Sequence, residues 1–207
     1  MPIRMLSVSV PALKVRYYGA VATALEIPRK VWTREDAHSL ADLGFPNASK
    51  LELINGELID HMGKKRPHAI LQHLIQAWLQ TTFGVEYVQM ESPIDVSSED
   101  NLLNEPEPDL IVTAKRSREY DTNPNSPELR LVVEVSDSTV NFDLKWKAPL
   151  YARAGIVEYW VINIPEKLVH VHREPLLGRY ANVVKYGFNA DIAPLAQPDA
   201  VFCAERL

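Results

Sequence analysis

The chain has 207 residues, enough for one sizeable core and short for two, so a single domain is expected. Its hydrophobic fraction of 46% and charged fraction of 24% are ordinary for a soluble globular protein, and no apolar run approaches the ~18 residues needed to cross a bilayer. A net charge of −5 excludes a protein that coats nucleic acid by phosphate neutralisation alone, but not an enzyme whose bound cation supplies positive charge locally.

The first thirty residues read as a flexible arm or an extra strand ahead of a domain over 31–207. Their apolar stretch is short, broken by Pro11 and followed by Lys14 and Arg16, which argues against a secretory signal. The single cysteine, Cys203, excludes an internal disulfide and a multi-cysteine zinc site; it reads as a small residue near a frayed C-terminus, and the compartment as the reducing cytoplasm.

Thr33 is a helix cap with Asp36 three residues on, and the helix runs through Leu40 to Gly44. Residues 51–59 form a hairpin, because Asn55-Gly56 suits a type I′ turn whose central residues both need φ > 0. Glu52 then points opposite to Leu51 and Leu53. From His68 to about residue 82, Ile70, Leu71, Leu74, Ile75, Trp78 and Leu79 recur at helical spacing, with Pro67 just before and His68 in the first turn.

Strand character follows over 85–96, again over 109–113, and over 129–135, where a near-continuous apolar run implies burial on both faces. A helix is expected over 143–154, ended by Gly155. Pro149 inside it requires either a regular helix that begins near Lys147 or a kink. Strands over 157–162, 168–173 and 180–186 complete an α/β arrangement in which helices flank one mixed central β-sheet.

Three ionisable residues stand out. Asp109 opens an apolar strand after Pro108. Glu134 interrupts Leu131-Val132-Val133-Glu134-Val135 in a central strand. A lone buried carboxylate costs roughly several kcal/mol unless it is paired or binds metal. If the two strands are neighbours, both carboxylates converge at one sheet end, and with the Val135 carbonyl they suit a hard cation, Mg²⁺ or Mn²⁺. Lys147, on the following helix, is placed to reach the same spot and contact a phosphate or an attacking hydroxide.

Pro108-Asp109, then Glu134-Val135-Ser136, resembles the PD-(D/E)xK nuclease superfamily, with Ser136 standing where that pattern has lysine. The run Asp143-(x)₃-Lys147-(x)₃-Tyr151-Ala152-Arg153-Ala154-Gly155-Ile156-Val157-Glu158-Tyr159-Trp160-Val161-Ile162 resembles the Uma-type family of bacterial restriction-endonuclease-like proteins. Glu52-Leu53-Ile54-Asn55-Gly56-Glu57-Leu58 and His68 are further matches, and the resemblance spans roughly residues 33 to 173. It implies a restriction-endonuclease-like core and metal-assisted phosphodiester hydrolysis, with DNA as substrate and the lysine moved to the helix. In that reading Asp109 and Glu134 hold the metal and Lys147 orients the nucleophile. Glu52 completes the metal shell, directly or through water, and His68 bonds a phosphate or orients Glu52. Pairing of restriction-like folds, together with Tyr159 and Trp160 as apolar surface, suggests a homodimer.

Plainer readings stand beside these. Glu134 is then a strand-end partner of a surface lysine, Asp109 a turn residue, and Lys147 an exposed helix lysine with Lys145 as competitor. Asp143 suits a helix N-terminus, His68 an exposed first turn, and Glu52 a solvated strand face. His170 and His172 alternate on one strand and lack an evident third metal ligand, so a solvated face is expected. Tyr151, Tyr159 and Trp160 fit a core or subunit interface better than a base-stacking platform, and Lys64-Lys65-Arg66 reads as a solvated loop. The rival functions are a non-catalytic oligomeric scaffold and a phosphoesterase acting on RNA or nucleotides.

Overall fold

The computed structural model describes residues 29–60 and 65–207. The chain divides into Met1–Lys30 and Val31–Leu207. The expected N-terminal arm or strand lies outside the described residues, apart from Arg29 and Lys30, which have no regular structure. Helix α1 (Arg34–Asp42) begins as expected. The Thr33 hydroxyl accepts from the Asp36 N–H at 3.1 Å, and the Asp36 carboxylate accepts from the Thr33 N–H at 3.0 Å.

Strands β1 (Leu51–Ile54) and β2 (Glu57–Asp60) form the hairpin, with φ of 50° at Asn55 and 74° at Gly56. A Cβ at Gly56 would also sit 2.6 Å from Val31 Cγ1, so this position needs glycine for its backbone and for its neighbour. Helix α2 (Arg66–Phe83) carries Pro67 in its first turn and buries Ile75 and Leu79 completely. Burial of such a side chain contributes about 1.5–3 kcal/mol.

The main sheet contains β3 (Val88–Met90), β4 (Leu110–Thr113), β5 (Leu129–Ser136), β6 (Glu158–Asn163), β7 (Leu168–Leu176) and β8 (Arg179–Gly187), adjacent in that order. Only β5 and β6 pair in parallel; the other neighbours are antiparallel. A parallel pair needs a crossover. It is supplied by α3 (Val140–Phe142), a π-helical turn over Asp143–Lys147, and α4 (Ala148–Ala154). Pro149 falls in the first turn of α4, where its missing N–H costs little, and the π turn precedes it. Gly155, at φ 80°, ends the helix.

The sheet is apolar on both faces. Leu131, Val133, Val135, Trp160 and Ile162 pack with Ile75 and Leu79 of α2, whereas Val132, Tyr159 and Val161 pack with Leu150 and Tyr151 of α4. The alternation places Glu134 on the α4 face, among side chains that would otherwise be apolar.

Four expectations change. The strand over 85–96 shrinks to β3, because Glu91 turns to φ 49° and Pro93 follows, leaving a long segment of loops and short 3₁₀ turns before β4. Tyr159 and Trp160 are core residues and offer no apolar surface for a partner. Cys203 is buried, its Sγ 3.3 Å from the Phe188 carbonyl, beside a fully buried Phe202, so the C-terminus is packed rather than frayed. His170 and His172, at 3% and 5% exposure, do not face solvent. Tyr159 and Tyr180 pack against His172, and its Nδ1 lies 3.3 Å from the Tyr159 carbonyl.

Burial pushes His172 down to about 4. The unfolded chain therefore binds the proton more readily, so the histidine's contribution is intact above about pH 6.5 and is lost as pH falls toward 4, to a total of about 3 kcal/mol. Urea midpoints measured at about pH 7 and about pH 4.5 should fall further for the native chain than for His172→Phe. Equal acid sensitivity would show that His172 is not held neutral.

Candidate active site

Strands β4 and β5 bring the first two acids together. Leu110 pairs with Val133, so Asp109, one residue before β4, comes to lie beside Glu134. The Asp109 N–H points to Glu134 Oε2 at 3.4 Å, and Asp109 Oδ2 accepts from the Val135 N–H at 2.8 Å. Helix α2 fixes the Asp109 main chain from one side, where Gln72 Nε2 donates to its carbonyl at 3.3 Å. The Glu91 N–H reaches the same carbonyl at 3.2 Å.

Lys147 arrives from the π turn. Its Nζ lies 2.8 Å from Glu134 Oε1 and 2.7 Å from Glu52 Oε1, and the ammonium stands 5.9 Å from the centre of the Phe142 ring. Only 2% of Lys147 is exposed, whereas Lys145 is exposed, which decides between the two lysines. Glu52 is as buried as Lys147 and also accepts from the Glu107 N–H at 3.0 Å. The Tyr151 hydroxyl donates to Glu134 Oε1 at 3.3 Å.

His68 Nε2 is 3.3 Å from Asp109 Oδ1 but outside hydrogen-bond geometry, and that buried nitrogen has no hydrogen-bond partner among the described residues. Asp143, at the start of the π turn, is also buried; its Oδ2 accepts from the Ser136 hydroxyl at 2.7 Å. Glu52, His68, Asp109, Glu134, Val135, Asp143 and Lys147 all line one cavity of about 380 Å³. Asp60 and Asp137 line it too, with Lys65 3.3 Å from Asp137.

The electrostatics follow from burial. Desolvation pushes Glu134 well above the ordinary carboxylate range, although Lys147 opposes the shift. Desolvation works against the Lys147 ammonium, but Glu134, Glu52 and Asp143 together outweigh it and hold the group well above a normal lysine. Asp143 is raised by burial despite Lys147 and Ser136. Glu107 is pushed up to about 7 by burial and then by the nearby Glu52 and Glu105 carboxylates.

All five expected site side chains therefore meet in one place. The solvated strand face for Glu52, the exposed turn for His68 and the simple N-terminal role for Asp143 are not what is found. Gln72, Tyr151 and Asp143 were missed as supports of the site. The only sequence signal for them was an amide within an apolar helical stripe, a hydroxyl in an aromatic cluster, and an acid four residues before the lysine.

Removing one member of this buried charge group strands the others. Lys147→Met should destabilise the fold by about 3–5 kcal/mol in urea titration, and adding Glu134→Gln should recover part of that loss. A Lys147→Met chain as stable as the native one would mean that the ion pairs contribute nothing.

Residues 34–203 match the family described as "Uma2: Putative restriction endonuclease". A solved structure described as a putative nuclease belonging to DUF820, from Anabaena variabilis ATCC 29413, shares the fold. Its TM-score is 0.59 at 14% sequence identity, over 79% of this chain and 93% of that one. No curated protein matches. With the family match spanning most of the chain and the same fold in the solved nuclease-like structure, this chain belongs to the Uma2 family.

Proposed function

We propose that the chain is a divalent-metal-dependent nuclease that hydrolyses phosphodiester bonds in DNA, with Asp109 and Glu134 as metal ligands and Lys147 beside them. The observation that carries this reading is the meeting of two strand-end carboxylates with a buried ammonium in one cavity. Six carboxylates line that cavity against two lysines, a balance that repels phosphate unless a cation is added.

The donor set fits Mg²⁺ or Mn²⁺. The Val135 N–H turns toward β4, because Asp109 accepts from it, and a strand residue's carbonyl lies on the same edge. Continuing the register sets Pro108 opposite Val135, and proline has no N–H to offer that carbonyl. Among the described residues no three His, Cys, Asp or Glu side chains form a complete metal cluster. Two carboxylates and one carbonyl match the sparse protein shell of an ion that keeps several waters. When bound, such a cation supplies Lewis acidity and offsets charge on the phosphate.

The chain's own groups do the rest. Lys147, held protonated by Glu52 and Glu134, orients the attacking oxygen and stabilises charge that develops on the phosphate. Glu52 positions Lys147, its Oε1 lying 2.7 Å from Nζ and accepting from the Glu107 N–H. His68 Nε2, beside Asp109, is placed to donate to a phosphate oxygen.

No described helix is long and apolar enough to cross a membrane, and a lone buried thiol suits the reducing cytoplasm. The homodimer remains part of the proposal on a new basis, the outer edge of β8, which no strand among the described residues pairs with and where Val183 and Val184 are exposed. A phosphoesterase acting on RNA or nucleotides is the second reading, favoured by the acidic net charge.

Cleavage of DNA, RNA and nucleotide substrates with Mg²⁺ or Mn²⁺, and with EDTA as control, tests the site. Asp109→Asn, Glu134→Gln and Lys147→Met should each lose on the order of 100-fold or more, and Glu52→Gln and His68→Ala about 10- to 100-fold. Activity that survives EDTA, or that is equal in the native and Asp109→Asn chains, removes the proposal; RNA or nucleotides as the preferred substrate selects the second reading. A monomer by gel filtration at micromolar concentration removes the dimer.

A further inference from the structure

A second cavity, of about 580 Å³, lies between α1, the β1–β2 hairpin and the loops around Pro93 and Glu105. It falls within the roughly 300–1,000 Å³ typical of small-molecule sites. Leu40, Leu51 and Leu58 supply apolar walls. The charged groups that line it are Arg34, His38, Asp95, Glu105 and Glu107, so acids outnumber bases.

Most of that charge is already engaged. Arg34 donates to Asp95 Oδ1 at 2.6 Å, to Asn101 Oδ1 at 3.1 Å and to the Asn104 carbonyl at 2.6 Å. Glu105 has His38 Nε2 at 2.7 Å and Asn123 Nδ2 at 3.1 Å. Glu107 differs. Its main-chain N–H donates to Glu52, but no hydrogen bond or ion pair reaches its carboxylate from the described residues. A half-buried carboxylate that no described side chain pairs with directly, opening on apolar walls, is complementary to a cation with an apolar body.

We propose that this cavity binds a small amphipathic organic cation, with the Glu107 carboxylate as the anchor for its charge and Leu40, Leu51 and Leu58 as the walls for its apolar part. Anionic ligands are disfavoured by the surplus of carboxylates. The site does not rest on the nuclease reading. It shares a wall with the first cavity, because the Glu107 N–H that faces away from the ligand is the donor that Glu52 accepts.

Calorimetric titration of the full chain with benzylammonium chloride and with benzyl alcohol, in mildly alkaline buffer, separates charge from shape. The native chain should bind the ammonium saturably and about tenfold more tightly than the alcohol. Glu107→Gln should erase that preference, and Ala41→Trp, which fills the cavity from α1, should abolish binding of both probes. No saturable binding of the ammonium, equal affinity for the two probes, or a preference that persists in Glu107→Gln would overturn the proposal. If Glu107→Gln fails to fold, unchanged ammonium binding by Ala41→Trp overturns it alone. Cleavage activity enters none of these readouts.

Discussion

The ammonium of Lys147 is buried, and burying it alone would cost several kcal/mol, roughly, in lost hydration. Two carboxylates from distant parts of the chain offset that cost: Glu52 from the hairpin and Glu134 from the central strand. The contact fixes more than a charge. It specifies which face the hairpin turns inward, because a slip of one residue in β1 would send Glu52 to the opposite side. It also ties the crossover between β5 and β6 to the sheet at the point where Asp109 and Glu134 meet. Backbone contacts share the task. The Glu105 N–H bonds the Leu53 carbonyl at 2.8 Å, and the Asn104 side chain accepts from Asn55 at 2.7 Å.

Local rules carried much of this arrangement. Thr33 with Asp36, Asn55-Gly56, and Gly155 each specify a cap or turn through backbone chemistry that needs no tertiary partner, and each is found where expected. Glu134 stood out because the strand around it was apolar on both faces. Burial of particular groups was harder to read. Period-two alternation puts His170 and His172 on one face, but whether that face is wet depends on Tyr180 folding over it from β8. Alternation likewise separated Glu52 from its apolar neighbours without revealing that a lysine about a hundred residues away would cover it. The segment after β3 read as strand because its residues favour extension, and one left-handed residue, Glu91, ends the ladder.

The run Glu105-Pro106-Glu107-Pro108-Asp109 explains how two cavities come to share a wall. Prolines at alternate positions keep the backbone extended and withhold N–H donors, so the segment does not join a sheet edge along its length. Its acids serve different neighbours. Glu105 is held by His38 and Asn123, Glu107 opens toward α1, and Asp109 turns toward β5.

The π turn ahead of Pro149 has a geometric corollary. A π turn carries one more residue than the α turn it replaces, so the extra position is absorbed within the turn, and each residue beyond it lies about 100° behind the phase that an unbroken α-helix would give it. Asp143 and Lys147 are separated by that winding, and both face the same cavity. Four residues apart, the acid and the lysine share a helix face whether the turn closes as α or as π. Excising one position within the turn would let it close as an ordinary α turn, so the ammonium would keep roughly its place on the cavity side while the hydrogen-bond pattern ahead of Pro149 changes.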